Sequence, residues 1–342
     1  MSKEPGSSPS MLQEALEGPT VVDRLLRENR SEVEEIGRFL RRRPRSFAIT
    51  VARGSSDHAA GYAKYLLETT LGLVTARAAP SVTTEYRAAL QADRSLVIGL
   101  SQSGESPDVV ETLSALRRAG GLAIAVTNRE DGPLVQAADA LLPLHAGPER
   151  SVAATKTFLG MLAALAQLVA AWNEDRGLMG HLAALPDALG AATEMDWSEG
   201  IEPLVEAPSL LTVGRGYAQP IAREVALKMK EVCGIHAEAF SAAEVLHGPV
   251  TLVGGDYPVF LAAPRDRPLP QLTELAADLR AKGAALLIAS PETELLSLAA
   301  ARLRMPPPLH PALDPAVLAQ ASYPFTVALA SARGRDPDRR AT

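Results

Sequence analysis

The sequence predicts an α/β chain in which a mostly parallel sheet flanked by helices is built twice. Three observations predict it. Short apolar runs such as 47–52 (Phe-Ala-Ile-Thr-Val-Ala) and 95–100 read as strands buried on both faces. Helix-length segments separate these runs, as crossover connections between parallel strands require. The pattern then restarts: Val51-Ala52-Arg53-Gly54 and Val213-Gly214-Arg215-Gly216 both stand at a strand-to-helix turn. The helices after them carry Ala63-Lys64-Tyr65-Leu66-Leu67-Glu68 and Ala226-Leu227-Lys228-Met229-Lys230-Glu231, repeating the order Ala, Lys, Glu.

In chain order, residues 1–10 are expected to be a disordered tail. From 11 to 45, Met11, Leu12, Leu16, Val21, Val22, Leu25 and Leu26, then Val33, Ile36, Phe39 and Leu40, follow helical spacing, with a break at Pro19. A first domain is expected over 46–175, with strands at 47–52, 73–76, 95–100, 122–126 and 140–144. Its helices are expected at 57–71, 107–119, 132–138 and 151–174. Residues 176–205, containing Asp, Glu and Gly, read as a connector. The second domain, 206–342, is expected to place strands at 209–213, 258–262, 285–289 and 301–305. A long helix to about Val232 and helices near 269–282 and 311–333 complete it.

Composition narrows the function. With 342 residues, 47% of them hydrophobic, the chain can bury two ordinary cores. A net charge of −6 argues against nucleic acid as a partner, since affinity there rests on neutralised phosphates. The basic clusters at Arg41–Arg45 and Arg339–Arg340 are short and read as solvated faces. The single cysteine, Cys233, excludes a disulfide framework and a Cys-based zinc site, and fits a reducing cytosol. No apolar run has the length of a membrane span and none resembles a signal peptide, so a cytoplasmic protein without a membrane partner is expected.

One junction is built to hold an anion. Residues 96–108 run from a buried strand into a loop and then a helix, with donors on Ser101, Gln102, Ser103 and Ser106 and close backbone approach at Gly104. Pro107 suits the first helical position and makes Ser106 the expected N-cap. Free N–H groups and the positive end of the helix dipole meet at that point. No lysine or arginine lies in the stretch, which suits a phosphate on a small neutral molecule such as a sugar. Two more loops, 53–57 and 147–156, are expected at the same carboxyl edge of the sheet.

Chemistry is expected from the second half. Isomerisation between adjacent sugar carbons needs a carboxylate to carry a proton and a group such as imidazole to open the ring. Glu231, Glu238, Glu244 and His247 are the candidates, while Lys228 and Lys230 can also be read as a solvated helix face. His236 reads as a satisfied core histidine at a strand start. The spacing of His236, Glu238 and His247 matches no familiar ligand pattern, and neither a metal nor a cofactor is expected. His58, His145, His181 and His310 are isolated; of these, His310 is the one placed to line a cleft.

Three motifs carry a resemblance: Ser101-Gln102-Ser103-Gly104-Glu105-Ser106, the run Gly147-Pro148-Glu149-Arg150-Ser151-Val152-Ala153-Ala154-Thr155-Lys156, and Lys228-Met229-Lys230-Glu231 followed by His236-Ala237-Glu238 and His247-Gly248-Pro249. Over about residues 20–335 the chain resembles the paired sugar isomerase (SIS) domains in the isomerase half of glucosamine-6-phosphate synthase. It is more similar still to stand-alone relatives of that half, including type II glucosamine-6-phosphate deaminases. The resemblance implies two flavodoxin-like SIS domains. It implies that Ser56, Ser101, Gln102, Ser103 and Ser106 hold a hexose phosphate, and that Ser55 and the Val152 backbone contact sugar hydroxyls. Glu231 would move the proton between C1 and C2 with Lys228 nearby. His247 would open the ring from a neighbouring subunit, so a homodimer with a shared site is implied.

The sequence departs from that pattern in three places. Ser2 stands second where the synthase has the cysteine of its glutaminase domain, so glutamine is not expected to donate nitrogen through this chain. The family's tail lysine, which forms an imine with the open-chain sugar, has no counterpart after Lys282, and arginine cannot form that imine. Ala154 replaces a serine and removes one hydroxyl contact. Deamination of glucosamine 6-phosphate to fructose 6-phosphate and ammonia is the leading expectation. Deglycation of a sugar-phosphate adduct, aldose–ketose isomerisation and non-catalytic phosphosugar sensing are the alternatives.

Overall fold

Two five-stranded sheets share one strand order, and every neighbouring pair of strands in them is parallel. The computed structural model describes residues 9–339. The expected disordered tail falls mostly on residues 1–8, outside the described residues; Ser10 already begins a helix.

The first sheet holds β1 (Phe47–Val51), β2 (Thr75–Arg77), β3 (Ser95–Leu100), β4 (Leu122–Thr127) and β5 (Ala140–Pro143), in the order β2-β1-β3-β4-β5. The second holds β6 (Ser209–Gly214), β7 (His236–Ser241), β8 (Pro258–Ala262), β9 (Ala285–Ser290) and β10 (Ala301–Arg304), in the order β10-β9-β8-β6-β7. Renumbered from its own first strand, the second sheet has the topology of the first, as a duplication requires. Both follow the flavodoxin-like doubly wound order. β3 and β8 are buried along their whole length, which explains why their sequences are almost wholly apolar.

The helices are α1 (Ser10–Leu16), α2 (Gly18–Glu28), α3 (Arg30–Arg42), α4 (Gly54–Leu71), α5 (Pro80–Thr84), α6 (Pro107–Arg118), α7 (Pro133–Gln136) and α8 (Lys156–Trp172). They continue with α9 (Arg176–Thr193), α10 (Glu202–Val205), α11 (Gln219–Lys228), α12 (Ala242–Val245), α13 (Leu269–Ala281), α14 (Thr293–Leu296) and α15 (Asp314–Ala332). α9 occupies much of the expected connector. Its buried Leu178, Leu182, Leu185 and Leu189 recur at helical spacing and drive the segment onto apolar surface.

Contacts divide the chain into two compact units. One contains residues 20–148 and 157–186, with the first sheet; its core includes Ile49, Val97, Leu113 and Leu134. The other contains residues up to Pro19, Glu149–Lys156 and Asp187 onward, with the second sheet. Its core includes Leu211, Val259, Leu272 and Ile288. α1 and residues 149–156 therefore belong to the unit of the second sheet, although the chain places them before it. No helix among the described residues is long and apolar enough to cross a membrane.

Candidate active site

In the first-sheet unit, β1 and β3 are neighbours whose outgoing connections run to opposite sides of the sheet, which opens a crevice at their carboxyl ends. Two helix N-termini face it. After β1, Gly54 takes φ +55° and starts α4, so half-buried Ser55 and Ser56 lie in the first helical turn, where N–H groups lack helical acceptors. After β3, residues 101–106 lead into α6. Gly104 has φ +66°, and a Cβ there would sit 2.9 Å from the Thr127 hydroxyl, so the turn suits glycine for both reasons.

The hydroxyls of this loop face one another. Ser101 Oγ lies 3.3 Å from Ser106 Oγ, Gly104 N–H donates to Ser101 Oγ at 3.2 Å, and Glu105 N–H donates to Ser103 Oγ at 3.3 Å. Ser106 occupies the N-cap position as expected, but its side chain makes no capping hydrogen bond and turns toward Ser101 instead. Arginines missing from the loop's own sequence reach its edge from elsewhere: Arg53 pairs with Asp108, and Arg129 with Glu105. Each is matched by a carboxylate, so the loop gains no uncompensated cation. The signal for these pairs lay in separate loops and could not be read along one stretch.

The second-sheet unit carries the titratable cluster. Lys228, at the end of α11, is fully buried, and its Nζ lies 2.8 Å from Glu224 Oε1 and 3.4 Å from Glu231 Oε2. Burial acts to lower the Lys228 pKa, but the charges of Glu224 and then Glu231 outweigh it, and the net shift is upward. Lys228 is therefore a buried ammonium, not the solvated face its sequence also allowed. Glu224 was not singled out in the sequence; its spacing, i−4 from Lys228, was the available signal.

Glu231 stays partly exposed, with 35% of its side chain accessible. It lies in a π-helical turn, Met229–Cys233, that ends at Gly234 with φ +64°. Such turns widen a helix and are frequent at functional sites. The turn is anchored from behind. Arg333 donates through Nε to the Cys233 carbonyl at 2.9 Å and through Nη1 to the carbonyls of Leu204, Val205 and Ala207. A Cβ on Gly234 would overlap the Arg335 guanidinium. Cys233 is buried against the Thr326 carbonyl, and burial pushes its thiol up to about 12.

The remaining candidates separate. His236 does start a strand, β7, but it is exposed at the sheet edge, so it is not a core histidine. Glu238 is exposed two residues on. Glu244 closes a capping box at α12, accepting the Ser241 N–H at 3.0 Å. His247 follows α12 in an exposed segment. Val152 is half-buried in the 149–156 loop. Among the described residues, no group of three or more His, Cys, Asp or Glu side chains could hold a metal ion.

The doubly wound sheet occurs twice, and the first copy carries a hydroxyl-lined loop at its switch point. The SIS domain profile matches residues 44–171 and again 203–331, and the chain belongs to the SIS domain family. It is 33% identical over 348 aligned positions to a glutamine–fructose-6-phosphate aminotransferase (isomerizing) of Thermus thermophilus, covering 96% of this chain and 57% of that protein. The chain thus spans little more than half the length of that relative. Among solved structures, a protein of Silicibacter pomeroyi assigned as a phosphosugar isomerase superposes with a TM-score of 0.90 at 41% identity, over 97% of this chain and 100% of that one. The C-terminal domain of the Francisella tularensis glucosamine-fructose-6-phosphate aminotransferase shares the fold, with a TM-score of 0.86 at 24% identity over 99% of this chain and 100% of that one.

Proposed function

We propose that the chain is a phosphosugar isomerase-type enzyme that deaminates glucosamine 6-phosphate to fructose 6-phosphate and ammonia. The observation that carries this reading is the buried Lys228 ammonium held beside the partly exposed Glu231 carboxylate. A carboxylate next to a fixed positive charge suits removal of a carbon-bound proton, because the charge stabilises the enediolate-like state that follows.

Ser56, Ser101, Gln102, Ser103 and Ser106 hold the phosphate, and Ser55 and the Val152 backbone bind sugar hydroxyls. His247 moves a proton from O1 to the ring oxygen and opens the ring. Glu231 takes the C2 proton of the open amino-aldehyde, forming an enaminol, and returns a proton to C1. The product is a C2 imine, which water hydrolyses to the ketone and ammonia. In this sequence the substrate's own amine supplies the imine nitrogen, so no lysine imine is needed. Lys228, held charged, is not a free amine in the resting state.

A homodimer that shares its sites is part of the reading. Exposed Leu246 and Leu252, at 50% and 55%, flank His247 and fit burial against a second copy. The cytoplasm is the proposed compartment, in keeping with the lone buried Cys233. The test is ammonia release from glucosamine 6-phosphate by wild type and by Glu231→Gln. Release by wild type with a loss of ~100-fold or more in the variant is expected of a general base. Normal turnover in Glu231→Gln removes that residue from the mechanism. Turnover of ketose phosphates without any ammonia release replaces deamination by plain isomerisation.

A further inference from the structure

We infer that Glu14 is a positioning residue that holds the 149–156 loop in its sugar-binding form. Residues 149–155 lie outside any helix or strand, so their backbone donors need side-chain acceptors. α1 supplies them. The Glu14 carboxylate, on a residue only 7% exposed, accepts the Arg150 N–H at 2.6 Å on one oxygen and the Ser151 N–H at 3.0 Å on the other. One turn on, Glu17 accepts from buried Lys156 Nζ at 2.7 Å, where the loop enters α8. α1 and the residue that caps its end thus grip the loop on both sides of Val152.

α1 is itself fixed at both ends. Asp338 accepts the Ser10 and Met11 N–H groups at 2.7 and 2.9 Å, and Gln320 on α15 donates to the Ala15 carbonyl at 3.0 Å. Met11 and Ala15 are fully buried. Two charge-assisted hydrogen bonds from a helix so anchored fix the direction of the peptide groups leading into Val152. Removing Glu14 leaves two backbone donors without their acceptor and frees the loop to sample other forms. Binding then weakens by the fraction of time the binding form is lost, while the chemical step at Glu231 is untouched.

This role rests on the proposed function of the loop, and the test separates the two. Backbone hydrogen exchange at residues 150–153 is measured without substrate in wild type, Glu14→Gln and Glu14→Ala. KM and kcat for glucosamine 6-phosphate and calorimetric binding of fructose 6-phosphate are measured on the same proteins. In Glu14→Ala, exchange in the loop is expected to rise ~10-fold or more, with KM and the dissociation constant rising in proportion and kcat within about twofold of wild type. Glu14→Gln, which keeps one acceptor, is expected to fall between and guards against a misfolded alanine variant. Faster exchange with unchanged KM and binding overturns the role of Glu14, as does unchanged exchange, or a fall in kcat at constant KM. Wild type that neither binds nor turns over a hexose phosphate overturns the functional reading, and the inference with it.

Discussion

Replacing Glu224 by glutamine isolates the charge pair at the centre of the second unit. Lys228 and Glu224 side chains are each 1% exposed and 2.8 Å apart, whereas Glu231 lies at 3.4 Å with 35% of its side chain exposed. Glu224→Gln therefore leaves a buried ammonium facing one partly solvated carboxylate. Losing one partner of a buried pair costs ~3–5 kcal/mol, and the surviving Glu231 places the expected loss near the lower end, ~3 kcal/mol. Replacing both Glu224 and Lys228 by methionine removes the stranded charge and is expected to stay within ~1 kcal/mol of wild type.

The pH dependence has a definite sign. Because the folded pKa of Lys228 is raised, its contribution is complete at neutral pH and is lost only as pH climbs above the ordinary lysine value of 10.5. In Glu224→Gln one of the two carboxylates that offset burial is gone, so the folded pKa of Lys228 is expected to fall below its wild-type position. The deficit of the variant should then shrink as pH rises from neutral toward the lysine range, where the amine can be buried uncharged. Urea unfolding in a Trp172→Phe background reads this, because buried Trp197 packs against Phe260 and Phe325 in the same unit. A loss under ~1 kcal/mol, or a deficit that does not change with pH, would refute the assignment of Lys228 as a charge held by Glu224.

Other outcomes follow from the same geometry. Ser106→Ala is expected to leave stability nearly unchanged, where loss of a bonded cap costs ~1 kcal/mol, yet to weaken hexose-phosphate binding; calorimetry and thermal unfolding together check this. Cys233, with its thiol pushed up to about 12, should resist thiol reagents at neutral pH until the second unit unfolds. Labelling by iodoacetamide in native buffer at the rate of a free thiol would contradict that burial.

The sheet was legible wherever burial on both faces made the strand a mainly apolar run, as in β1, β3, β4, β8 and β9. It was less legible at β7, an edge strand that alternates His236 and Glu238 outward with Ala237 inward. α9 is masked in the sequence because polar and small residues separate the leucines at 178, 182, 185 and 189 that form its buried face. The phosphate loop was legible because its donors are contiguous in sequence. Glu14 and Arg333 were not, since each acts through partners that only folding brings near, up to 137 residues away for Glu14 and Ser151; Glu224 sits one helical turn from Lys228, and only the burial of both side chains marks that pair off from a surface i,i+4 pair. Likewise, nothing local in 149–156 marks it as part of the second sheet's unit.

The central claim, that Glu231 carries a proton between neighbouring sugar carbons, is tested most directly by running the reaction in D2O. Glucosamine 6-phosphate is incubated with wild type and with Glu231→Gln, and C1 of the fructose 6-phosphate formed is examined by NMR. The account predicts deuterium at C1 with wild type and neither deuterium nor product with the variant. Fructose 6-phosphate forming as fast with Glu231→Gln as with wild type, with deuterium delivered to C1, would contradict it.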